Sequence, residues 1–365
     1  MYRSEFMGQS TISVKTPGKL MVAGEYAVLE QYQRLIVTAI DRFVQADLTP
    51  SETGTLTIPA LDIEQALWHV EEGKVVLEAE GKQTSFVQEA MQTVFTYLTE
   101  QDIAIQPFDL TVTSDLDDVS GKKYGLGSSG AVTTAVVKAI LEFLHTDEIT
   151  EDLIFKLSSI AHVKVQGNGS GADVAASSYG GWLEYASFQA EWLLEEIGKG
   201  KSISRLVKRN WQYFKLEKLT FPEDLHMCIG WTGQPASTSQ FVQKIQEFKH
   251  QDHTAYAEFM VQSNTAVRGV LTGMSENDLN LFFEGIQMNR VALQQLGEKA
   301  GVPIETAELK TLCDIAEQLG GVAKPSGAGG GDCGIAFVSS REKADELAAA
   351  WEKAGIQTLD IQPIS

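Results

Sequence analysis

Tyr124-Gly125-Leu126-Gly127-Ser128-Ser129-Gly130-Ala131-Val132-Thr133-Thr134-Ala135-Val136-Val137-Lys138-Ala139-Ile140-Leu141 passes from small, flexible residues into an apolar run. The run reads as a buried helix whose start is marked by two serines, with glycines just ahead of it. A helix N-terminus exposes unpaired N–H donors and the positive end of the macrodipole, and glycines let an anion approach those donors closely. The segment is therefore an expected anion seat.

Two further glycine-rich segments flank it in the chain. Pro17-Gly18-Lys19-Leu20-Met21-Val22-Ala23-Gly24-Glu25-Tyr26 lies near the N-terminus, and Lys324-Pro325-Ser326-Gly327-Ala328-Gly329-Gly330-Gly331-Asp332-Cys333-Gly334 near the C-terminus. Each supplies something a triphosphate site needs: freed backbone N–H groups, hydroxyls beside them, or a lysine against phosphate charge. Gly125, Gly127 and Gly130 also fit G-x-G-x-x-G, but that dinucleotide fingerprint should come directly off a buried strand, and polar residues 114–123 precede it here. A Walker A loop fails too, since its near match Gly200-Lys201-Ser202 has Glu195 where the first glycine belongs.

With the three motifs in this order across nearly the whole chain, the sequence resembles the GHMP kinase superfamily. Within it, Lys15-Thr16-Pro17-Gly18-Lys19, Gly24-Glu25-Tyr26-Ala27-Val28-Leu29 and Gly230-Trp231-Thr232-Gly233-Gln234-Pro235-Ala236-Ser237-Thr238 are most similar to the bacterial phosphomevalonate kinase branch. Mevalonate kinases resemble the first two motifs but typically carry histidine where Tyr26 stands. The resemblance implies an α+β fold with an S5-like N-terminal half and a ferredoxin-like C-terminal half around a cleft. It also implies ATP and Mg2+ as cofactors and phosphomevalonate as the small-molecule partner. The alternatives are mevalonate kinase or another GHMP small-molecule kinase, and a non-catalytic ligand-binding homologue, which folds of this kind can become.

Composition sets bounds. The 365 residues are enough for two domains, and a 43% hydrophobic content is ordinary for a globular protein. A net charge of -20 disfavours nucleic acid and anionic membranes as partners. Attraction for anionic ligands is thus expected from a local cluster of Lys19, Lys122, Lys123 and Lys324. Three cysteines with neither an even count nor metal-ligand spacing fit a reducing cytoplasm. No apolar run is long enough to span a bilayer, and residues 1–6 ahead of Met7 read as an added leader.

Periodicity predicts strands at 10–16 and 35–48, a hairpin at 66–79, a helix at 84–98 and a strand at 108–113. After the phosphate loop and its helix come a helix at 151–164, a short helix from Ala172 and a strand at 181–185. A strand from 225 precedes helices at 239–249, 254–272, 277–299 and 306–318, two strands flank the last glycine loop, and a helix and a strand close the chain. The polar stretch 197–209 reads as the boundary, giving an N-terminal ATP-binding domain at 1–205 and a C-terminal domain at 206–365.

The resemblance assigns roles by position. Lys19 is the expected catalytic cation beside the reacting phosphates and the substrate. Asp173, in Gly169-Ser170-Gly171-Ala172-Asp173, is the expected active-site aspartate, although an aspartate in a first helical turn is also a good dipole partner. Lys122, Lys123, Gly125, Leu126, Gly127, Ser128, Ser129 and Gly130 are expected on ATP. Ser129 and Asp173 are the expected metal contacts, while either serine could instead serve as a cap. Glu25 either orients Lys19 or faces solvent. Asn168, Ser170, Ser237, Thr238, Ser239, Ser326, Gly327 and Ala328 are expected on the acceptor, with ordinary turn and cap roles as their alternatives. His162 and Lys164 are weaker candidates, a lone helical histidine being more often structural.

Overall fold

The computed structural model describes residues 11–117, 124–144, 149–234 and 238–364. The N-terminal half runs β1 (Ile12–Ala23), β2 (Arg34–Pro50), β3 (Gly54–Ile58), β4 (Ile63–Glu71), β5 (Lys74–Leu77), α1 (Lys82–Thr99), β6 (Phe108–Ser114), α2 (Ser128–Phe143), α3 (Glu151–Gln166), α4 (Ala172–Tyr179), β7 (Trp182–Ala186), α5 (Ala190–Gly198), α6 (Ile203–Lys208) and β8 (Lys215–Leu219). The C-terminal half continues with β9 (His226–Trp231), α7 (Thr238–Gln251), α8 (His253–Glu276), α9 (Leu279–Ala300), α10 (Ala307–Gln318), β10 (Val322–Pro325), β11 (Cys333–Val338), α11 (Arg341–Lys353) and β12 (Gln357–Leu359).

The first sheet has eight strands, ordered β5-β4-β3-β6-β2-β7-β8, with β1 on β2. Its spine is β2, whose 17 residues pair with β7 through one half and with β6 through the other. A buried run from Leu35 to Ile40 explains why it can be central, since both faces are covered. The second sheet has four antiparallel strands, β10-β11-β9-β12. On one side of it Leu312 and Trp351 pack a small core, and Trp351 Nε1 donates to the Leu312 carbonyl at 3.0 Å. Ile335 and Phe337, also in the second sheet, join the main core that contains Leu35 and Ile36, so one core runs through both halves.

The division between halves falls later than 205/206. β8 lies beyond that point yet pairs antiparallel with β7 over residues 215–219, which puts it in the N-terminal sheet. The stretch 197–209, read from sequence as the boundary, carries a helix. α6 buries Ile203, Leu206 and Val207, a single helical turn of spacing too short to stand out as a period. Above it, Glu196 is held by Lys199 at 2.7 Å and by Lys201 and Arg209. β3, α5, α6 and β8 are the elements periodicity does not announce, and each has nine residues or fewer.

The β1–β2 ladder shifts register between Pro17 and Gly18, a break where a proline is tolerated and where a strand re-aims its side chains. A Cβ on Gly18 would lie 2.8 Å from the carbonyl oxygen of Leu126. Only glycine lets the loop before α2 lie against β1, and the Lys19 N–H bonds that same carbonyl at 2.8 Å.

Candidate active site

The loop before α2 delivers a helix N-terminus into a cleft. Gly127 takes the N-cap position in left-handed conformation, φ 83, and no side chain caps the helix. Neither Ser128 nor Ser129 is therefore spent as a cap. Ser129 Oγ instead lies 3.1 Å from Nε2 of His162. Gly130 sits one residue further on, where a Cβ would come within 2.8 Å of the Asp173 carboxyl carbon, so its lack of a side chain makes room for the aspartate.

Lys19 is 7% exposed, and its Nζ donates to the Gly125 carbonyl at 3.1 Å. Asp173 occupies the first turn of α4, with Oδ1 accepting from the Val174 N–H at 3.0 Å. Its Oδ2 lies 3.7 Å from His162 Nε2. His162 is buried, stacks on Phe86 and so belongs to the site. Lys164, by contrast, points away to Glu89 at 2.8 Å. The loop before α4 is fixed from behind, where Tyr185 Oη donates to the Ser170 carbonyl at 2.6 Å.

The third glycine loop is tied to the first motif. Ser326 Oγ donates to the Met21 carbonyl at 2.9 Å and accepts from the Met21 N–H at 3.0 Å. Glu25 neither faces solvent nor orients Lys19: it is buried and paired with Lys324, which is fully buried. Lys324 also donates to the Pro325 carbonyl at 2.6 Å. Burial pulls the Lys324 ammonium below its usual value, with Glu25 opposing. Lys324 is thus no part of a surface cluster that attracts ligands, because a lysine spent on an internal carboxylate offers solvent no net charge.

One cleft of ≈ 260 Å³ gathers these groups. Lys19, Gly125, Leu126, Gly127, Ser128, Ser129, Asn168, Ser170, Asp173, Thr238, Ser239, Ser326, Gly327 and Ala328 all line it. Gly130 lies just beneath, under Asp173. Lys122, Lys123 and Ser237 fall outside the described residues. The cleft also takes in His162, Gln166, Asp117 and Asp332. His162 and Gln166 are four apart on α3 and so share a face, the one sequence signal that links them.

The N-terminal residues of α2, α4 and α7 meet in this cleft together with Lys19. Three positive dipole ends and the Lys19 ammonium offer an anion partners here, beside the carboxylates of Asp117, Asp173 and Asp332. Beside the cleft, and sharing Asp117, Ser128, Ser129 and Gln166 with it, opens a second cavity of ≈ 350 Å³. Its wall is largely apolar, with Ile58, Leu61, Phe86, Val87, Val112 and Val132. No sequence motif marks it, because its wall comes from five separated stretches of chain.

Among the described residues no three His, Cys, Asp or Glu side chains cluster in a way that could hold a metal ion. Ser129 and Asp173 offer one hydroxyl and one carboxylate. That is a fitting set for Mg2+, which keeps waters and takes one or two protein oxygens beside substrate phosphates. Among the described residues no helix is long and apolar enough to cross a membrane.

Comparison with known proteins agrees with this geometry. The family model for the GHMP kinases N terminal domain matches residues 85–181, and the model for the GHMP kinases C terminal matches 270–357. A phosphomevalonate kinase from Streptomyces sp. (strain CL190) is 34% identical, covering 98% of this chain and 98% of its own. The crystal structure of the Lin0012 protein from Listeria innocua superposes with TM-score 0.92 at 39% identity, covering 98% of each chain. Streptococcus pneumoniae phosphomevalonate kinase, solved in complex with phosphomevalonate and AMPPNP, superposes with TM-score 0.84 at 28% identity, covering 97% of this chain and 100% of its own.

Proposed function

This chain belongs to the GHMP kinase family, and we propose that it transfers the γ-phosphoryl group of ATP to (R)-5-phosphomevalonate, giving 5-diphosphomevalonate and ADP. The observation that carries this reading is the meeting of three helix N-termini and Lys19 in one cleft that continues into an apolar cavity. An adenine-sized apolar space beside a phosphate-binding helix suits ATP, and the far wall, made by α7 and the third glycine loop, is left for a second anion.

Phosphoryl transfer asks the protein mainly for alignment and charge placement. The α2 N-terminus and the Ser128 hydroxyl hold the β- and γ-phosphates, and Lys19 faces the charge that develops on the moving group. Ser129 and Asp173 would hold the magnesium that accompanies ATP, which would supply neutralisation of phosphate charge. Thr238 and Ser239 seat the acceptor phosphate at the α7 N-terminus, and Ser326, Gly327 and Ala328 close over it. A phosphomonoester has its second pKa near ~6 and is mostly dianionic at neutral pH, so it attacks without a general base. Asp173 accordingly faces His162 and would help hold the metal, and does not serve as a base.

The test is ADP release with Mg-ATP and each candidate acceptor in turn. Phosphomevalonate should support turnover far faster than mevalonate or homoserine; equal or reversed preference would remove the assignment.

A further inference from the structure

Tyr26 does not line the cleft, yet its contacts lead there. Its backbone sits at φ 60 and ψ -46, a conformation an aromatic residue adopts only against steric resistance. Its ring is buried among Ile245 and Phe248 of α7, Phe259 of α8 and Leu293 of α9. From this packing the hydroxyl emerges to donate to the Ala328 carbonyl at 2.6 Å. Burial keeps the phenol proton in place well above the usual tyrosine range, so the donor persists at working pH.

The third glycine loop is pinned at Ser326 by Met21, at Ala328 by Tyr26 and at Gly330, whose N–H bonds the Ile304 carbonyl at 2.9 Å. Two of these pins belong to the short segment that begins with Lys19. The segment bearing the catalytic cation thus also sets where the opposite wall of the cleft stands. A phenylalanine would fill the apolar packing as well as Tyr26 does. The hydroxyl, and the strained backbone that aims it, are not explained by the core.

We propose that Tyr26 is a positioning residue for the acceptor: its hydroxyl fixes the Ala328 carbonyl, and with it the 326–328 backbone, at the spacing from Lys19 that in-line transfer requires. This rests on the reading that 326–328 closes over the acceptor. The apolar cavity assigned to adenine is walled by residues 58–61, α1, β6 with Asp117, α2 and Gln166 of α3, none of which Tyr26 is bonded to. The effect should therefore fall on one substrate and not on the other.

The experiment is steady-state kinetics of wild type and Tyr26→Phe, varying phosphomevalonate and Mg-ATP separately, with thermal denaturation of both proteins. The expected result is a rise in KM for phosphomevalonate of roughly three- to tenfold, the size of one neutral hydrogen bond, with KM for ATP within about twofold. An unchanged acceptor KM would overturn the proposal. So would equal rises in both KM values, or loss of folding in the variant, since either assigns the hydroxyl to general structure. A wild-type protein inactive on phosphomevalonate would instead overturn the functional reading on which the proposal rests.

Discussion

Asp173 Oδ2 lies 3.7 Å from His162 Nε2, and that same nitrogen lies 3.1 Å from Ser129 Oγ. The aspartate is thus coupled to the serine of the phosphate loop through an imidazole, while the Lys19 ammonium goes to the Gly125 carbonyl. Asp173→Asn should lower kcat by about a hundredfold or more, in line with loss of one preorganised electrostatic contact. Because the acceptor supplies its own dianion, the pH–rate profile of the mutant should still rise through the acceptor's second pKa near ~6. A rising limb that disappears with the carboxylate would make Asp173 a general base.

Lys19→Met keeps the length of the side chain and removes its cation. We expect kcat to fall by about a hundred- to thousandfold, with KM for either substrate changing much less. The thermal midpoint should move little, since the lost bond is a single one to Gly125. A variant that retains most of its turnover would reduce Lys19 to a structural residue.

Glu25 and Lys324 are an interior ion pair joining residues 299 apart in sequence. Removing one partner strands the other charge away from water, a loss typically of about 3–5 kcal/mol, so Glu25→Gln should be strongly destabilised in urea denaturation. Replacing both partners, as in Glu25→Leu with Lys324→Met, should recover much of that loss. Additive losses in the double variant would show that the two side chains are not coupled.

Magnesium removal offers a separate check. If Ser129 and Asp173 supply the protein's share of the site, as proposed, the cation would be held chiefly by ATP itself. Excess EDTA should abolish turnover, and free ATP should compete with Mg-ATP. Undiminished activity in EDTA would contradict the role given to Ser129 and Asp173.

Much of the site is legible in the sequence because it is local. Gly125 to Gly130, Ser170 to Asp173 and Ser326 to Ala328 are each contiguous, and each presents backbone or short side chains whose chemistry does not depend on distant partners. What stays hidden is what tertiary contact decides. Glu25 beside Lys19 in sequence suggests an ion pair between them, yet a strand turns Lys19 to the cleft while Glu25 turns inward to a lysine from β10. Lys324 looks like a surface cation until β10, the edge strand of the second sheet, is packed against α9 and α10. The apolar cavity draws on residues from Ile58 to Gln166, and no window of sequence contains it. The fold is legible where a period persists, as in α3 or α9, and illegible in α6 and β8, where five or six residues carry too few repeats to distinguish a helix or strand from a polar loop.

The most direct measurement is the phosphorus NMR spectrum of the reaction mixture, with phosphomevalonate and Mg-ATP incubated with the protein. The acceptor's phosphomonoester signal should be replaced by a coupled pair of diphosphate signals on the product, in step with the appearance of ADP. A phosphomonoester signal that persists while ADP accumulates, or conversion seen only when mevalonate replaces phosphomevalonate, would contradict transfer to a phosphate acceptor.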